Sequence, residues 1–195
     1  DNGGLQGYRV GRSVNTSNAP LRDQKGTLYE GGIRVPLIIS WPEKVVPGTV
    51  CPVPVTSVDF FPTFSEIAGG KQSCTNPQDG VSILPLLSRN GKLAERALFW
   101  HYPHYHSSTP ASAMREGEWK ILEFYEDHSL ELYHLEDDIG ETENLVVKHP
   151  ERAESMRQKL NQLRLRMDAT SPVPNPEFDS QKSYIKIKHP QALPE

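Results

Sequence analysis

The chain has 195 residues, enough to bury a single-domain core, and its 36% hydrophobic content is ordinary for a protein that folds in water. Lysine and arginine number 21 against 25 acidic residues, which lacks the basic excess of a nucleic-acid binder and excludes a nucleic-acid partner from the expectations. The longest apolar run, residues 35–41, is broken by Pro36 and falls far short of the roughly 20 residues that a membrane-spanning helix needs, so no membrane span is expected.

Residues 1–34 are polar and glycine-rich, opening on Asp1-Asn2-Gly3-Gly4 and passing through Asn15, Ser17, Asn18 and Pro20. An irregular segment of that length is usually functional or disordered, and by composition alone the opening reads as a turn. Next comes Leu21-Arg22-Asp23-Gln24-Lys25-Gly26-Thr27-Leu28-Tyr29-Glu30-Gly31-Gly32-Ile33-Arg34-Val35-Pro36. Residues 33–40 run apolar and β-branched between glycine and proline punctuation, which predicts a short strand buried on both faces. Trp41-Pro42 stops it. Any targeting segment is expected upstream of Asp1 or removed.

Residues 56–69 predict a helix, with Ser57 as cap, Pro62 near the first turn and Gly69 at the exit. Val58, Phe61, Phe64 and Ile67 fall at helical spacing and are expected to be buried, and Asp59 is expected to serve the helix start. Cys51 and Cys74 have a separation that fits one disulfide or two separate thiols.

From Arg96 the pattern changes. Residues 97–102, 113–116, 119–124 and 130–135 are strand-like runs separated by turn residues, which predicts an antiparallel sheet of about four strands. A helix begins near Pro150, and its stripe of Ala153, Met156, Leu160, Leu163 and Met167 is expected to lie on that sheet. Residues 171–195 hold five prolines and read as an extended or disordered tail apart from a short strand at 184–187.

His101-Tyr102-Pro103-His104-Tyr105-His106 places three histidines in six residues. No cysteine or acid cluster accompanies them, which disfavours a zinc site. Strand-end packing is one reading of the group. A substrate-facing rim is the other, with His101 and His104 as contacts to a sugar.

The order of motifs adds a family resemblance. Asp-Asn-Gly is followed by Leu-Arg-x-x-Lys-Gly-Thr-x-Tyr-Glu-Gly-Gly-x-Arg-x-Pro, then Val-Asp-Phe-Phe-Pro-Thr-x-x-x-x-Ala-Gly, Gly-x-Trp-Lys, Glu-Leu-Tyr-x-Leu and Asp-x-Gly-Glu-x-x-Asn-Leu. This series resembles the C-terminal portion of sulfatases of the arylsulfatase and N-acetylgalactosamine-6-sulfatase type, within the alkaline phosphatase superfamily, over residues 1 to about 168. The resemblance implies an α/β fold. Residues 1–95 would form the C-terminal part of the catalytic α/β domain, residues 96–170 a small antiparallel sheet packed on a C-terminal helix, and residues 171–195 an extended proline-rich tail.

It also implies sulfuric ester hydrolysis, with a sulfated carbohydrate or an aryl sulfate as substrate. Lys25 matches the sulfate-binding lysine, and Asp1 with Asn2 matches metal ligands whose hard oxygens suit calcium. Two adjacent residues cannot provide the 6 to 8 oxygens calcium takes, so other ligands are expected elsewhere. Glu30, Gly31, Gly32 and Arg34 are expected to shape the turn.

A formylglycine nucleophile arises from Cys-or-Ser-x-Pro-x-Arg, and no such motif occurs: Cys51 precedes Pro52-Val53-Pro54, and Ser108-Thr109-Pro110-Ala111 runs into Ser112. The formylglycine is therefore expected in a missing N-terminal half of the enzyme, and this chain alone is expected to be inactive. The resemblance further implies a secreted, periplasmic or lysosomal setting and favours a Cys51–Cys74 bond. The rival expectations are a non-catalytic module at 96–168, and a phosphate or phosphonate ester hydrolase of the same superfamily.

Overall fold

The computed structural model describes residues 2–5, 16–70, 79–88 and 91–179. In chain order the elements are α1 (Glu30–Ile33), α2 (Phe60–Ile67), β1 (Ala97–Tyr102), β2 (Ala111–Glu116), β3 (Trp119–Phe124), β4 (Leu130–His134) and α3 (Pro150–Arg166), with single 3-10 turns at Ser57–Asp59 and Leu84–Leu87. The chain divides into two compact units, one formed by Asp1–Val35 with Arg96–Glu195 and the other by Pro36–Glu95.

The first unit is built on one antiparallel sheet in the order β1-β2-β3-β4. Glu116 pairs with Trp119 across a two-residue turn, where Gly117 takes a φ of 59° that a side chain would resist. In that register Met114, Ile121 and Leu132 stand side by side on one face. They meet Ala153, Met156 and Leu160 of α3, all six being buried, so the expected helix-on-sheet packing is observed. Leu163 packs at the edge of this cluster. Pro150 occupies the first turn of α3 and Arg164 and Arg166 the last, both favourable placements for a helix.

The opposite face carries Ala111, Ala113, Leu122, Phe124 and Tyr133, which form a second core with Leu28 and Tyr29. Residues from the amino-terminal stretch thus complete the sheet's far side. The compact unit that holds the sheet includes residues up to Val35.

In the second unit, Asp59 is fully buried at the start of α2 and accepts the Thr56 N–H at 2.8 Å and the Val81 N–H at 3.0 Å. The Thr63 hydroxyl donates to Asp59 O at 2.6 Å and accepts the Ile83 N–H at 2.9 Å. The helix-start role expected of Asp59 is present, with Thr56 in the cap position instead of Ser57.

Two expectations for this region are corrected. Val58, Phe61, Phe64 and Ile67 were expected inside, yet they are 50%, 61%, 65% and 42% exposed. Helical spacing defines an apolar face without saying that its partner lies in the same chain. Residues 34–40 form no strand: Glu30–Ile33 is a helical turn, and Ile38 beyond it is 91% exposed. A β-run becomes a strand only when a neighbour takes its backbone hydrogen bonds, and no pairing of this run is found among the described residues.

Cys51 is an exposed thiol, while Cys74 and the strand expected at 184–187 lie outside the described residues. Residues 171–179 hold no helix or strand. Among the described residues, no helix is long and apolar enough to cross a membrane.

Candidate functional site

The loop from Arg22 to Arg34 is fastened to the sheet by buried charge. Glu30 is 2% exposed and its Oε1 lies 2.9 Å from the Lys120 ammonium, which is fully buried on β3. Lys120 also lies 2.8 Å from Glu141 Oε1, and Glu141 Oε2 accepts the Glu30 N–H at 2.6 Å. Arg115 and Arg34 approach Glu30 Oε2 at 3.8 and 3.7 Å. Burial pushes the Glu141 carboxyl above the ordinary carboxylate range, and the Lys120 charge opposes that rise. Removing Lys120 would leave Glu141 without a cationic partner in a dry interior.

A second clamp lies beside it. The Arg22 guanidinium sits 3.9 Å from the centre of the Tyr29 ring and donates to Tyr133 Oη at 2.9 Å and to Glu141 O at 2.7 Å. Tyr29 and Tyr133 both donate to Glu131 Oε2, at 2.7 and 2.8 Å. Burial, and next the Glu131 charge, pushes both phenols well above their ordinary range. The loop backbone is consequently held at Arg22, Tyr29 and Glu30. Lys25 lies between the first two, on the exposed surface.

The amino-terminal segment runs alongside this loop. Gly3 N–H donates to Gly32 O at 3.0 Å, and Lys25 N–H donates to Gly4 O at 3.4 Å. Asn18 staples the two: its Nδ2 donates to Gly4 O and to Asp23 O, both at 2.9 Å, while its Oδ1 accepts the Gly4 N–H at 3.1 Å. The approach requires glycine, because a Cβ on Gly3 would sit 1.7 Å from Gly31 O. Gly31 and Gly32 thus have the architectural part expected of them. Asn2 and Lys25 are exposed on adjoining segments, and Asp1 lies outside the described residues.

The histidine-rich stretch divides. His101 is on the α3 side of the sheet, where its Nε2 donates to Thr170 O at 2.9 Å and its Nδ1 lies 2.9 Å from both Ser112 Oγ and Tyr125 Oη. The structure does not bring it to the Lys25 loop. His104 is exposed, packs edge-on against Tyr102, and with His101 and residues 168–172 borders an open cavity of ≈ 540 Å³.

His106, which the sequence analysis did not select, is the histidine that reaches Lys25's neighbourhood. Its ring lies over Gly26, whose φ is 93° and where a Cβ would fall 1.9 Å from His106 Nδ1. Ser107 Oγ donates to Lys25 O at 3.1 Å. A loop following a strand has no period from which this placement could be read. Among the described residues, no three His, Cys, Asp or Glu side chains gather as a metal cluster.

Residues 23–167 match the family described as N-sulphoglucosamine sulphohydrolase, C-terminal. The chain is 37% identical over 211 residues to a sulfatase of Formosa agariphila, in an alignment covering 95% of this chain and 37% of that protein. It is 30% identical over 166 residues to arylsulfatase A of Bos taurus, covering 74% of this chain and 32% of the other. A crystal structure of Ps i-CgsB in complex with k-i-k-neocarrahexaose resembles it with a TM-score of 0.60 at 26% identity, over 86% of this chain and 34% of that one.

The chain spans roughly a third of the length of these relatives. Its α/β fold is that of the C-terminal part of the alkaline-phosphatase-like sulfatases, ending in the four-stranded antiparallel sheet and its helix. Since the family match takes in the Lys25 loop, all four strands and α3, the chain belongs to the sulfatase family, through the domain described as the C-terminal part of N-sulphoglucosamine sulphohydrolase.

Proposed function

We propose that this chain is the C-terminal portion of a sulfuric ester hydrolase that cleaves sulfate esters of a sugar or an aryl alcohol, supplying part of the sulfate and metal site but not the nucleophile. The observation that carries this reading is the hydrogen-bonded pairing of the segment holding Asn2 with the loop holding Lys25, both anchored to the sheet. In this reading the Lys25 ammonium holds a sulfate oxygen and offsets the negative charge that develops as the S–O bond breaks. The chain's own part is to keep that ammonium in place through the Arg22, Tyr29 and Glu30 clamps.

Asn2 offers an amide oxygen, and Asp1 a carboxylate, to a divalent cation. Both are hard donors that fit calcium, with the remaining ligands coming from the N-terminal portion. Calcium held there would offset charge on the sulfate oxygens, and a formylglycine in that portion would supply the attacking oxygen. The N-terminal portion is also the partner we propose for the exposed apolar side chains of residues 37–39 and of α2. The oligosaccharide in the Ps i-CgsB complex supports a carbohydrate substrate. A secreted, periplasmic or lysosomal setting follows from the resemblance.

Lys25→Ala in the full-length enzyme tests the reading. The expected result is a loss of roughly 10²–10³ in turnover of an aryl sulfate, the scale of removing one group that stabilises transition-state charge. Unchanged turnover, or hydrolysis by the pure 195-residue chain, would contradict it. Stronger competition by phosphate than by sulfate would move the reading to phosphate esters.

A further inference from the structure

The loop joining β1 to β2 reaches the Lys25 loop through two adjacent residues. Ser107 has one hydroxyl proton, and because a carbonyl can only accept, that proton is committed to Lys25 O at 3.1 Å. His106 Nδ1 lies 3.1 Å from the same Ser107 Oγ. With the hydroxyl proton already placed, Nδ1 is the donor of this contact. The neutral ring therefore carries its proton on Nδ1 and a lone pair on Nε2, and Nε2 has no hydrogen-bond partner among the described residues.

The ring is also held in position. Gly26 at φ 93° leaves room for it where any Cβ would collide, so the imidazole rests on the backbone of the residue next to Lys25. A seated, exposed hydrogen-bond acceptor beside a sulfate-binding lysine suits a donor on the alcohol part of the ester. Aryl sulfates lack such a donor beside the ester. Sugars carry one within two carbons of the ester carbon, such as the 4-hydroxyl of a 6-sulfate.

We propose that His106 is a specificity-determining residue of the Lys25 site, whose Nε2 accepts a hydrogen bond from a hydroxyl of the sulfated sugar and so favours sugar sulfates over aryl sulfates. The inference rests on the reading of Lys25 as the sulfate-binding group. It assigns the β1–β2 loop, through Ser107, the task of setting the tautomer that can accept.

The test compares a glucosamine 6-sulfate substrate with 4-methylumbelliferyl sulfate in the full-length enzyme carrying His106→Ala, His106→Gln or Lys25→Ala. His106→Ala is expected to lower kcat/KM on the sugar sulfate about tenfold, the value of one hydrogen bond, and to leave the aryl sulfate unchanged. His106→Gln, whose side-chain oxygen can accept, is expected to recover part of the loss. Equal losses on both substrates, or no loss on the sugar, would overturn the assignment of His106. Lys25→Ala is expected to depress both substrates. If it spares both, the sulfate reading of Lys25 fails and the His106 assignment falls with it, an outcome distinct from failure of His106 alone.

Discussion

Lys120 Nζ, on the central strand β3, lies 2.9 Å from Glu30 Oε1, on the loop that presents Lys25, and neither side chain is open to water. Through this contact the sheet of the first unit sets the position of a loop far from it in sequence. Glu141 closes the arrangement by pairing with Lys120 and holding the Glu30 backbone.

Replacing Lys120 by methionine should therefore destabilise the chain by about 3–5 kcal/mol, because Glu141 would lose its cationic partner in a buried site and Glu30 would keep only the longer contacts to Arg115 and Arg34. Urea denaturation followed by circular dichroism checks this. The triple change Lys120→Met, Glu30→Gln, Glu141→Gln should recover a substantial part of the loss. A single mutant as stable as the parent would show that the network contributes nothing.

Alkaline pH should unfold the protein. Tyr29 is raised by burial and then by the Glu131 charge, so its folded value lies above the ordinary tyrosine value of about 10. Its contribution is complete below pH 10 and is lost as pH rises, because the unfolded chain releases the phenolic proton first. The expected slope is about 1.4 kcal/mol per pH unit above pH 10 for this one group. Urea midpoints measured between pH 9 and 11 should fall less steeply for Tyr29→Phe than for the parent.

Phe64 should distinguish the chain alone from the full-length enzyme we propose. At 65% exposure, Phe64→Ala should change the stability of the 195-residue chain by less than about 0.5 kcal/mol. In the full-length enzyme, where we propose that the N-terminal portion covers α2, the same change should cost about 3–5 kcal/mol. Leu160→Ala, at the fully buried α3 contact, should cost about 2–5 kcal/mol in both. Equal effects of Phe64→Ala in the two contexts would show that this face stays open.

Gly26→Ala should act at the site more than on the fold. The new methyl group would collide with the His106 ring and would need a positive φ, at a cost of about 1–3 kcal/mol. In the full-length enzyme, turnover of sugar sulfates should fall while the circular dichroism of the sheet stays unchanged. Full activity on sugars would show that His106 has room to move aside.

The small sheet was legible because its strands are short runs separated by Pro, Gly or polar turns; β1 and β3 fall at the expected residues. The α3 stripe was equally clear, since Ala153, Met156 and Leu160 find their partner within this chain. The same reasoning failed at Phe61, Phe64 and Ile38, where the apolar pattern is real but no covering partner is found among the described residues. Lys120 gave no warning either: a lysine in a strand ordinarily implies a solvated edge, and its burial depends on Glu30 and Glu141, which are distant in sequence. Lys25 was singled out through the order of motifs around it. That His106 lies over Gly26 was not legible, because spacing within a loop does not say which ring turns toward the neighbouring segment.

The central claim is that Lys25 and the Asp1-Asn2 pair serve one bound sulfate and its metal. A crystal structure of the full-length enzyme with calcium and sulfate tests it most directly. The account predicts Lys25 Nζ within about 3 Å of a sulfate oxygen, and Asn2 Oδ1 at about 2.3–2.6 Å from a calcium ion contacting the same sulfate. Sulfate and calcium bound at a site to which neither Lys25 nor Asn2 contributes would contradict it.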